Sequence, residues 1–267
     1  MKTFLFVQLQ RYCIKTRVLT PKSASESASP SYPCGCICDI LILFGGWQRV
    51  YGTERFYEER AMITVVARKV NTEYFEENFE KLLDLLPVSR REYVLTFKQR
   101  RSAIVELAVS LLLDEIVKEH NEALGTLYDV LPDSQGKPYV PQLTDFCFNL
   151  SHSGDYVVVA YGDETVGVDV QKVEGYREKV AMKCYNDSER AFMEQGDVDI
   201  NFTLVWTIKE AYAKFTGRGL GENLKTIEID LKNNRIQNTV VHFVSQTIDN
   251  HIITVCAENI NNTKFVY

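Results

Sequence analysis

Two segments of the chain carry residue types that could hold a cation and a phosphate. In the first, residues 166–171, valines alternate with Gly167, Asp169 and Gln171. Successive side chains of a β-strand point to opposite faces, so the three non-valine residues would share one face. A carboxylate beside a carboxamide offers oxygen ligands for a hard cation. Taken alone, this segment is more often a half-exposed strand with a polar outer face.

The second segment, residues 206–214, has the sequence WTIKEAYAK. Trp206, Glu210 and Lys214 are spaced four apart, so they would line one side of a helix, with Lys209 next to them. An exposed Glu–Lys pair on a helix is common and stabilises it by only about 0.2–0.5 kcal/mol. The segment alone therefore supports a functional and a purely structural interpretation equally.

Ser151 and His152 follow a predicted strand directly. Hydroxyls, an imidazole and free backbone N–H groups at a strand end can bind phosphate. A Ser/His hydrolase is a rival interpretation, but the G-x-S-x-G nucleophile elbow is absent here. A plain turn with a hydrogen-bonded histidine is the third alternative.

The hydrophobic patterns predict the elements that position these residues. We expect helices at about 73–86, 89–97, 101–119, 178–195 and 202–216. We expect strands at 62–70, 146–150, 156–161, 165–171, 226–231, 239–247 and 251–257, with a hairpin turn at 162–164. Strand, helices and strands occur twice, which predicts an α+β protein with two lobes of similar size, 62–165 and 166–267.

The composition is that of an ordinary globular protein. Of its 267 residues, 45% are hydrophobic and 25% are charged, and the net charge is −6. The negative charge argues against a general nucleic-acid binder, and no apolar run reaches the length of a membrane span. Four of the seven cysteines crowd the N-terminus, and the other three are scattered through apolar stretches, which suits a reducing cytoplasm better than a disulfide framework.

Residues 1–61 differ from the rest. Residues 21–33 are rich in Ser and Pro, which predicts a poorly structured linker. The start of the chain is only a weak match to a signal peptide, because Gln8 and Gln10 interrupt its apolar run. The CGCIC sequence at 34–38 lacks the spacing of a zinc site. We therefore expect a dispensable extension, with Met62 as the functional start.

Four blocks, taken together and in this order, resemble the Sfp-type 4′-phosphopantetheinyl transferases. The blocks are GKP at 136–138, FNLSHS at 148–153, GVD at 167–169 and WTIKEAxxK at 206–214. The resemblance covers residue 62 to the C-terminus. It implies two related α/β lobes about a pseudo-twofold axis, with the active site between them. It also implies Mg²⁺-dependent transfer of phosphopantetheine from coenzyme A to a serine of an acyl or peptidyl carrier protein, releasing adenosine 3′,5′-bisphosphate.

The resemblance assigns roles residue by residue. Asp169 and Glu210 correspond to Mg²⁺ ligands. Gln171 stands at the position where relatives often have a third, acidic ligand. Lys214 corresponds to the lysine near the transferred phosphate. The implied catalytic residues are Glu210, Lys214 and Asp169. Coenzyme A would be bound by Arg90, Arg101, Lys137, Ser151, His152 and Lys209.

Two alternatives stay open at this point. One is a weakened relative that only binds coenzyme A or a carrier protein, which the neutral Gln171 would favour. The other is a Mg²⁺-dependent enzyme acting on a dinucleotide, which would usually bring more carboxylates. The resemblance further implies a monomer with a partly basic surface for an acidic carrier. The charge and the apolar runs described above argue against a role for nucleic acid or membrane.

Overall fold

Residues 62–218 and 223–267 are described by a computed structural model. The expectations for residues 1–61 lie outside the described part of the chain. The described residues belong to one compact unit, Arg60–Tyr267.

The first half begins with a strand and four helices. These are β1 (Ile63–Lys69), α1 (Thr72–Glu77), α2 (Phe79–Leu83), α3 (Val88–Leu95) and α4 (Arg100–His120). The single helix predicted at 73–86 is split, because Asn78 leaves the helical conformation with φ −112° and ψ 13°. Its amide N–H and side chain both bond to the carbonyl of Tyr74, which ends α1.

Four strands follow, of which two form a short ribbon. They are β2 (Leu131–Pro132), β3 (Pro138–Tyr139), β4 (Cys147–Ser153) and β5 (Tyr156–Gly162). The strand predicted at 146–150 continues through Ser153, since it pairs with β5 along its whole length. Ser151 and His152 therefore lie within a strand and not after one.

The second half contains β6 (Gly167–Lys172), three helices and five further strands. The helices are α5 (Glu178–Cys184), α6 (Asp187–Met193) and α7 (Val198–Thr216). The strands are β7 (Ile229–Asp230), β8 (Arg235–Ile236), β9 (His242–Ile248), β10 (His251–Ala257) and β11 (Thr263–Val266). The single helix predicted at 178–195 is split because Asn186 and Glu189 form a capping box that starts α6.

The strands form two main sheets, with the orders β11-β1-β5-β4 and β6-β10-β9-β8-β7. The predicted hairpin at 162–164 is therefore wrong, since β5 and β6 belong to different sheets. The hairpin in this region joins β4 to β5. Its turn passes through Gly154, whose φ of +58° favours glycine.

The two sheets pack face to face, and helices cover their outer faces. Val65 and Val158 of the first sheet share a core with Val168 and Val255 of the second. The residues of β1 and β5 that alternate with these point to the other face of the first sheet, where they form a second core with α1–α4. A third core lies between α5–α7 and the outer side of the second sheet. Alternate side chains are thus buried on both faces, which explains the continuous apolar runs of these strands.

Side chains also join the edges of the two sheets. Three alternate polar residues of β4 accept hydrogen bonds from three alternate amides of β6. The pairs are Val168 N–H to Asn149 Oδ1 (2.9 Å), Val170 N–H to Ser151 Oγ (3.1 Å) and Lys172 N–H to Ser153 Oγ (3.0 Å). This arrangement holds Ser151 directly beside the strand that carries Asp169.

The last strand crosses the division predicted at residue 165. β11 runs parallel to β1, with Ile63 opposite Thr263, so the first sheet contains strands from both predicted lobes. Helices cover both sheets, and the α+β class with two α/β halves is confirmed. Among the described residues, no helix has both the length and the apolar character needed to cross a membrane.

Candidate active site

The close approach of α7 to β6 brings the predicted catalytic residues together. A Cβ atom on Gly167 would lie 2.8 Å from the Cα of Phe215 and closer still to the carbonyl oxygen of Ala211. A glycine is therefore required where the strand meets the helix. Asp169 lies two residues further along the same face of β6, opposite the turn of α7 that carries Glu210 and Lys214.

Asp169, Lys214 and Ser151 form a hydrogen-bonded network. The Lys214 ammonium donates to Asp169 Oδ1 at 2.8 Å and to Ser151 Oγ at 2.9 Å. The Ser151 hydroxyl donates to the same Asp169 oxygen at 2.8 Å. Asp169, Lys214 and Ser151 come from three separate elements and were predicted on separate grounds. In the structure, the Lys214 ammonium and the Ser151 hydroxyl meet at one oxygen of Asp169.

Two carboxylate oxygens beside this network have no hydrogen-bond partner among the described residues. They are Asp169 Oδ2 and Glu210 Oε1, and both are buried. A buried carboxylate oxygen without a partner is energetically costly unless something else binds it. Two such oxygens fit a hard divalent cation, with the remaining ligands coming from a substrate or water.

The described residues contain no cluster of three or more His, Cys, Asp or Glu side chains placed to hold a metal ion. A cation here would therefore depend on Asp169, Glu210 and oxygens of other kinds. Gln171 is half-buried and shares the strand face of Asp169, so it stays a predicted amide ligand.

Burial makes Glu210 a weak acid. Desolvation and, after it, the negative charge of Asp169 raise the pKa of its carboxyl from 4.5 to about 7, although Lys214 acts in the opposite direction. A carboxyl with a pKa near 7 can both release and accept a proton at neutral pH. The contribution of Asp169 to this raised pKa is consistent with two neighbouring carboxylates.

Asp169 and Lys214 line a cavity of about 620 Å³. Its other surfaces come from α3, α4, β4 and the β2–β3 ribbon, and the predicted binding residues Arg90, Ser151 and His152 are among them. A more open depression of about 480 Å³, near the start of α6, contains none of the predicted site residues. The larger cavity is therefore the candidate active site.

Arg90 is a buried part of this cavity. Its guanidinium donates to Glu106 Oε1 and to the Ser110 hydroxyl, both at 2.6 Å, and lies 4.7 Å from the centroid of the Tyr93 ring. These contacts orient the guanidinium before any ligand arrives. Arg101, in contrast, is exposed in the first turn of α4 and is not among the residues that line the cavity.

Two family models match adjoining parts of the chain. Residues 165–258 match the model described as the 4′-phosphopantetheinyl transferase superfamily, and residues 73–164 match the model described as 4′-phosphopantetheinyl transferase, N-terminal. The chain belongs to the 4′-phosphopantetheinyl transferase family. The four sequence blocks that suggested this resemblance all lie within the matched region.

Curated relatives agree with this assignment. The chain is 26% identical to the 4′-phosphopantetheinyl transferase Sfp of Bacillus subtilis over 159 residues, which are 58% of this chain and 70% of the relative. It is 26% identical to an L-aminoadipate-semialdehyde dehydrogenase-phosphopantetheinyl transferase of Candida glabrata over 216 residues, covering 73% of this chain and 83% of the relative. The match to the transferase psf-1 of Bacillus pumilus is 34% identical over 97 residues, covering 35% and 42%.

The structure of this transferase corrects the role expected for Lys209. The side chain is fully buried, and its ammonium donates to the carbonyls of Leu224 at 2.8 Å and Ile227 at 2.5 Å. It also forms an ion pair with Glu189 at 2.9 Å. Residues adjacent in a helix point in different directions, so Lys209 points into the core, away from the side of α7 that carries Glu210 and Lys214. Lys209 is therefore not placed to contact coenzyme A.

Lys137 is corrected in a similar way. Its ammonium donates to the carbonyl of Val166 at 2.9 Å and to that of Phe215 at 3.5 Å. Its neighbours Gly136 and Pro138 line the cavity, but Lys137 itself does not. The Gly-Lys-Pro turn thus borders the cavity through its backbone and small side chains, and not through the lysine.

Sequence analysis missed Glu106, which lines the cavity and holds Arg90. A signal was present, since Glu106, Ser110 and Asp114 recur every four residues within the apolar α4. All three are buried, and Asp114 accepts a hydrogen bond from the Tyr128 hydroxyl at 3.0 Å. A row of polar residues at helical spacing inside an apolar helix indicates a buried polar network.

Proposed function

We propose that this transferase moves the 4′-phosphopantetheine arm of coenzyme A onto a serine hydroxyl of an acyl or peptidyl carrier protein. The reaction would use Mg²⁺ and release adenosine 3′,5′-bisphosphate. One observation carries the proposal, namely that the buried carboxylates of Asp169 and Glu210 each have an unpartnered oxygen. Asp169 lines the cavity together with Lys214, which is bonded to it. A cation-binding carboxylate pair next to an ammonium is suited to a diphosphate, which carries negative charge on adjacent phosphates.

Binding would begin with the nucleotide part of coenzyme A in the cavity. Arg90 is held by Glu106 and Ser110, so the N–H groups that these residues do not use are already oriented for a phosphate. His152 is exposed next to the buried Ser151, where it can contact the nucleotide. We expect the diphosphate to lie toward Asp169 and Lys214.

The chain's own residues then act on the diphosphate and on the carrier serine. Lys214 is bonded to Asp169 and Ser151, and it can turn one of its three N–H donors to a phosphate oxygen. Bound Mg²⁺, held by Asp169 and Glu210 with Gln171 as a further candidate ligand, would supply positive charge that neutralises the diphosphate.

Proton transfer would involve Glu210. As the serine oxygen forms its bond to the phosphorus next to pantetheine, the bond from that phosphorus to the bridging oxygen breaks. The leaving adenosine 3′,5′-bisphosphate takes the bonding electrons, and Glu210 accepts the serine proton directly or through water. A carboxyl with a pKa of about 7 is well matched to this task at neutral pH.

The test is the mass of an apo carrier after incubation with the protein, coenzyme A and Mg²⁺. The wild type should add one phosphopantetheine group. Asp169→Ala and Glu210→Gln should each lower the turnover at least ~100-fold, as the loss of an electrostatic or proton-accepting group does. Glu119→Gln, which changes an exposed residue of α4, is the control. Unchanged modification by both site variants would overturn the proposal, and binding of coenzyme A without transfer would indicate a binding module.

The proposal extends to the protein's surroundings. A cytoplasmic monomer is expected, with a carrier protein as its partner and without a role for nucleic acid or membrane. The chain's own charge of −6 means that an acidic carrier would need a local basic surface near the cavity. Repeating the mass assay with carriers from fatty-acid, polyketide and nonribosomal peptide synthesis would identify the preferred partner class.

A further inference from the structure

The turn between β2 and β3 is held by its own hydrogen bonds. The carboxylate of Asp133 accepts from the amides of Gln135 at 2.8 Å and Lys137 at 2.9 Å, and the Asp133 amide donates to the Lys137 carbonyl at 2.8 Å. Gly136 adopts a φ of +86°, which few other residues would tolerate. The backbone of Lys137 is therefore fixed, and its side chain leaves the turn from a defined point.

The Lys137 side chain links this ribbon to two elements of the catalytic site. The carbonyl of Val166, 2.9 Å from its ammonium, directly precedes β6, which carries Asp169. The carbonyl of Phe215, at 3.5 Å, directly follows Lys214 in α7. The far side of the same ribbon lines the cavity through Gly136 and Pro138. One ammonium thus connects the cavity wall with both chain segments that form the Asp169–Lys214 pair.

A second contact follows the same route. The side chain of Gln135 lies over Gly217 so closely that a Cβ there would lie 3.4 Å from the Gln135 Cβ and closer still to its amide oxygen. The ribbon turn therefore contacts the end of α7 through two side chains, those of Gln135 and Lys137. A shift of the ribbon would be transmitted to Lys214, because the helix end cannot move independently of it.

We propose that Lys137 is a positioning residue, which sets the distance of the β2–β3 ribbon from β6 and α7 and so fixes the cavity around the Asp169–Lys214 pair. The expected effect of Lys137 on catalysis rests on the proposed function. The structural link from the ribbon to β6 and α7 rests on the hydrogen bonds alone. If the ammonium left to contact a phosphate, the Val166 carbonyl would lose its side-chain partner and the ribbon its link to the site.

The structural part is tested by hydrogen–deuterium exchange of Lys137→Met, which keeps the length of the side chain and removes its donors. Exchange should become about tenfold faster in peptides covering 130–140 and 213–218, while peptides of α4 and β5 keep their rates. Lys232→Met, which changes an exposed lysine between β7 and β8, is the matched control and should change none of these rates. Unchanged exchange near the ribbon in Lys137→Met would overturn the proposal. If that variant does not fold, Lys137→Gln gives the same test.

The catalytic part is tested by the carrier modification rate and by calorimetry with coenzyme A, at about 50 and about 500 mM salt. A positioning role predicts a loss in kcat/KM of about tenfold at both salt concentrations, since misplaced groups lower the rate whatever the ionic strength. A direct contact between the ammonium and a phosphate predicts a loss of affinity that salt largely removes, which would overturn the proposal. Failure of the wild type to modify any carrier would refute the proposed function and leave the exchange test unaffected.

Discussion

The raised pKa of Glu210 predicts that the protein becomes less stable as the pH rises through neutrality. Burial and Asp169 hold the pKa of this carboxyl at about 7 in the folded chain, against 4.5 for an ordinary glutamate. Between these two values, the folded protein binds more protons than the unfolded protein, so the free energy of unfolding falls with rising pH. Below about pH 4.5, the carboxyl is protonated in both states and has no such effect.

The size of the effect follows from the same shift. A rise from 4.5 to about 7 corresponds to about 3 kcal/mol of unfavourable free energy when the carboxyl is ionised in the folded protein. With 9% of Glu210 still exposed, solvent screening brings this closer to about 2 kcal/mol. Glu210→Gln removes the ionisation, so at pH 8 this variant should be about 2 kcal/mol more stable than the wild type while it loses activity.

Urea denaturation without added divalent cations measures this difference. The two proteins should have the same free energy of unfolding near pH 4.5 and diverge as the pH is raised to 8. Glu119→Gln should follow the wild type at each pH. A Glu210→Gln variant that is less stable than the wild type at pH 8, or a difference that does not depend on pH, would refute the reasoning.

Two further predictions concern residues that support the site. Lys209→Met leaves Glu189 as a buried charge without its partner, so it should destabilise the protein by about 3–5 kcal/mol in urea denaturation. Adding Glu189→Gln should recover much of this loss of stability. A cost below about 1 kcal/mol for Lys209→Met would contradict the buried ion pair. Gly167→Ala forces α7 away from β6 and should cost about 3 kcal/mol together with most of the transfer activity. Its control is Gly175→Ala, because an added Cβ there would meet nothing within 4 Å. Equal melting temperatures of the two alanine variants would refute the close contact between Gly167 and α7.

The elements that carry the chemistry were predictable because their patterns are local. Alternating valines indicated β6, and the spacing of Glu210 and Lys214 indicated α7. Both elements are present, and they bring Asp169 and Lys214 into contact. The partners of the strands were not predictable in the same way. The glycine-containing turn after β5 resembles a hairpin, but β5 is apolar on both faces and β6 has an apolar valine face, so each strand could be buried in its own sheet.

The lysines show a second limit of sequence analysis. Lys137, Lys209 and Lys214 all lie in blocks typical of the family, yet only Lys214 reaches the cavity. A lysine has a long apolar stem and an ammonium that can serve a carbonyl, a carboxylate or a phosphate equally well. Which of these it meets depends on tertiary packing, so residue type and spacing could not separate the positioning lysines from the one that lines the site.

The parallel pairing of β11 with β1 has a consequence for how the chain is made. Thr263 lies opposite Ile63, so the strand that completes the first sheet leaves the ribosome 200 positions after its neighbour. Until then, one edge of an apolar strand has no backbone partner, and such an edge can pair with other chains. Contacts between distant residues also form slowly. The nascent polypeptide therefore carries an aggregation-prone edge while these 200 residues are made, a period in which chaperones would have the most to protect.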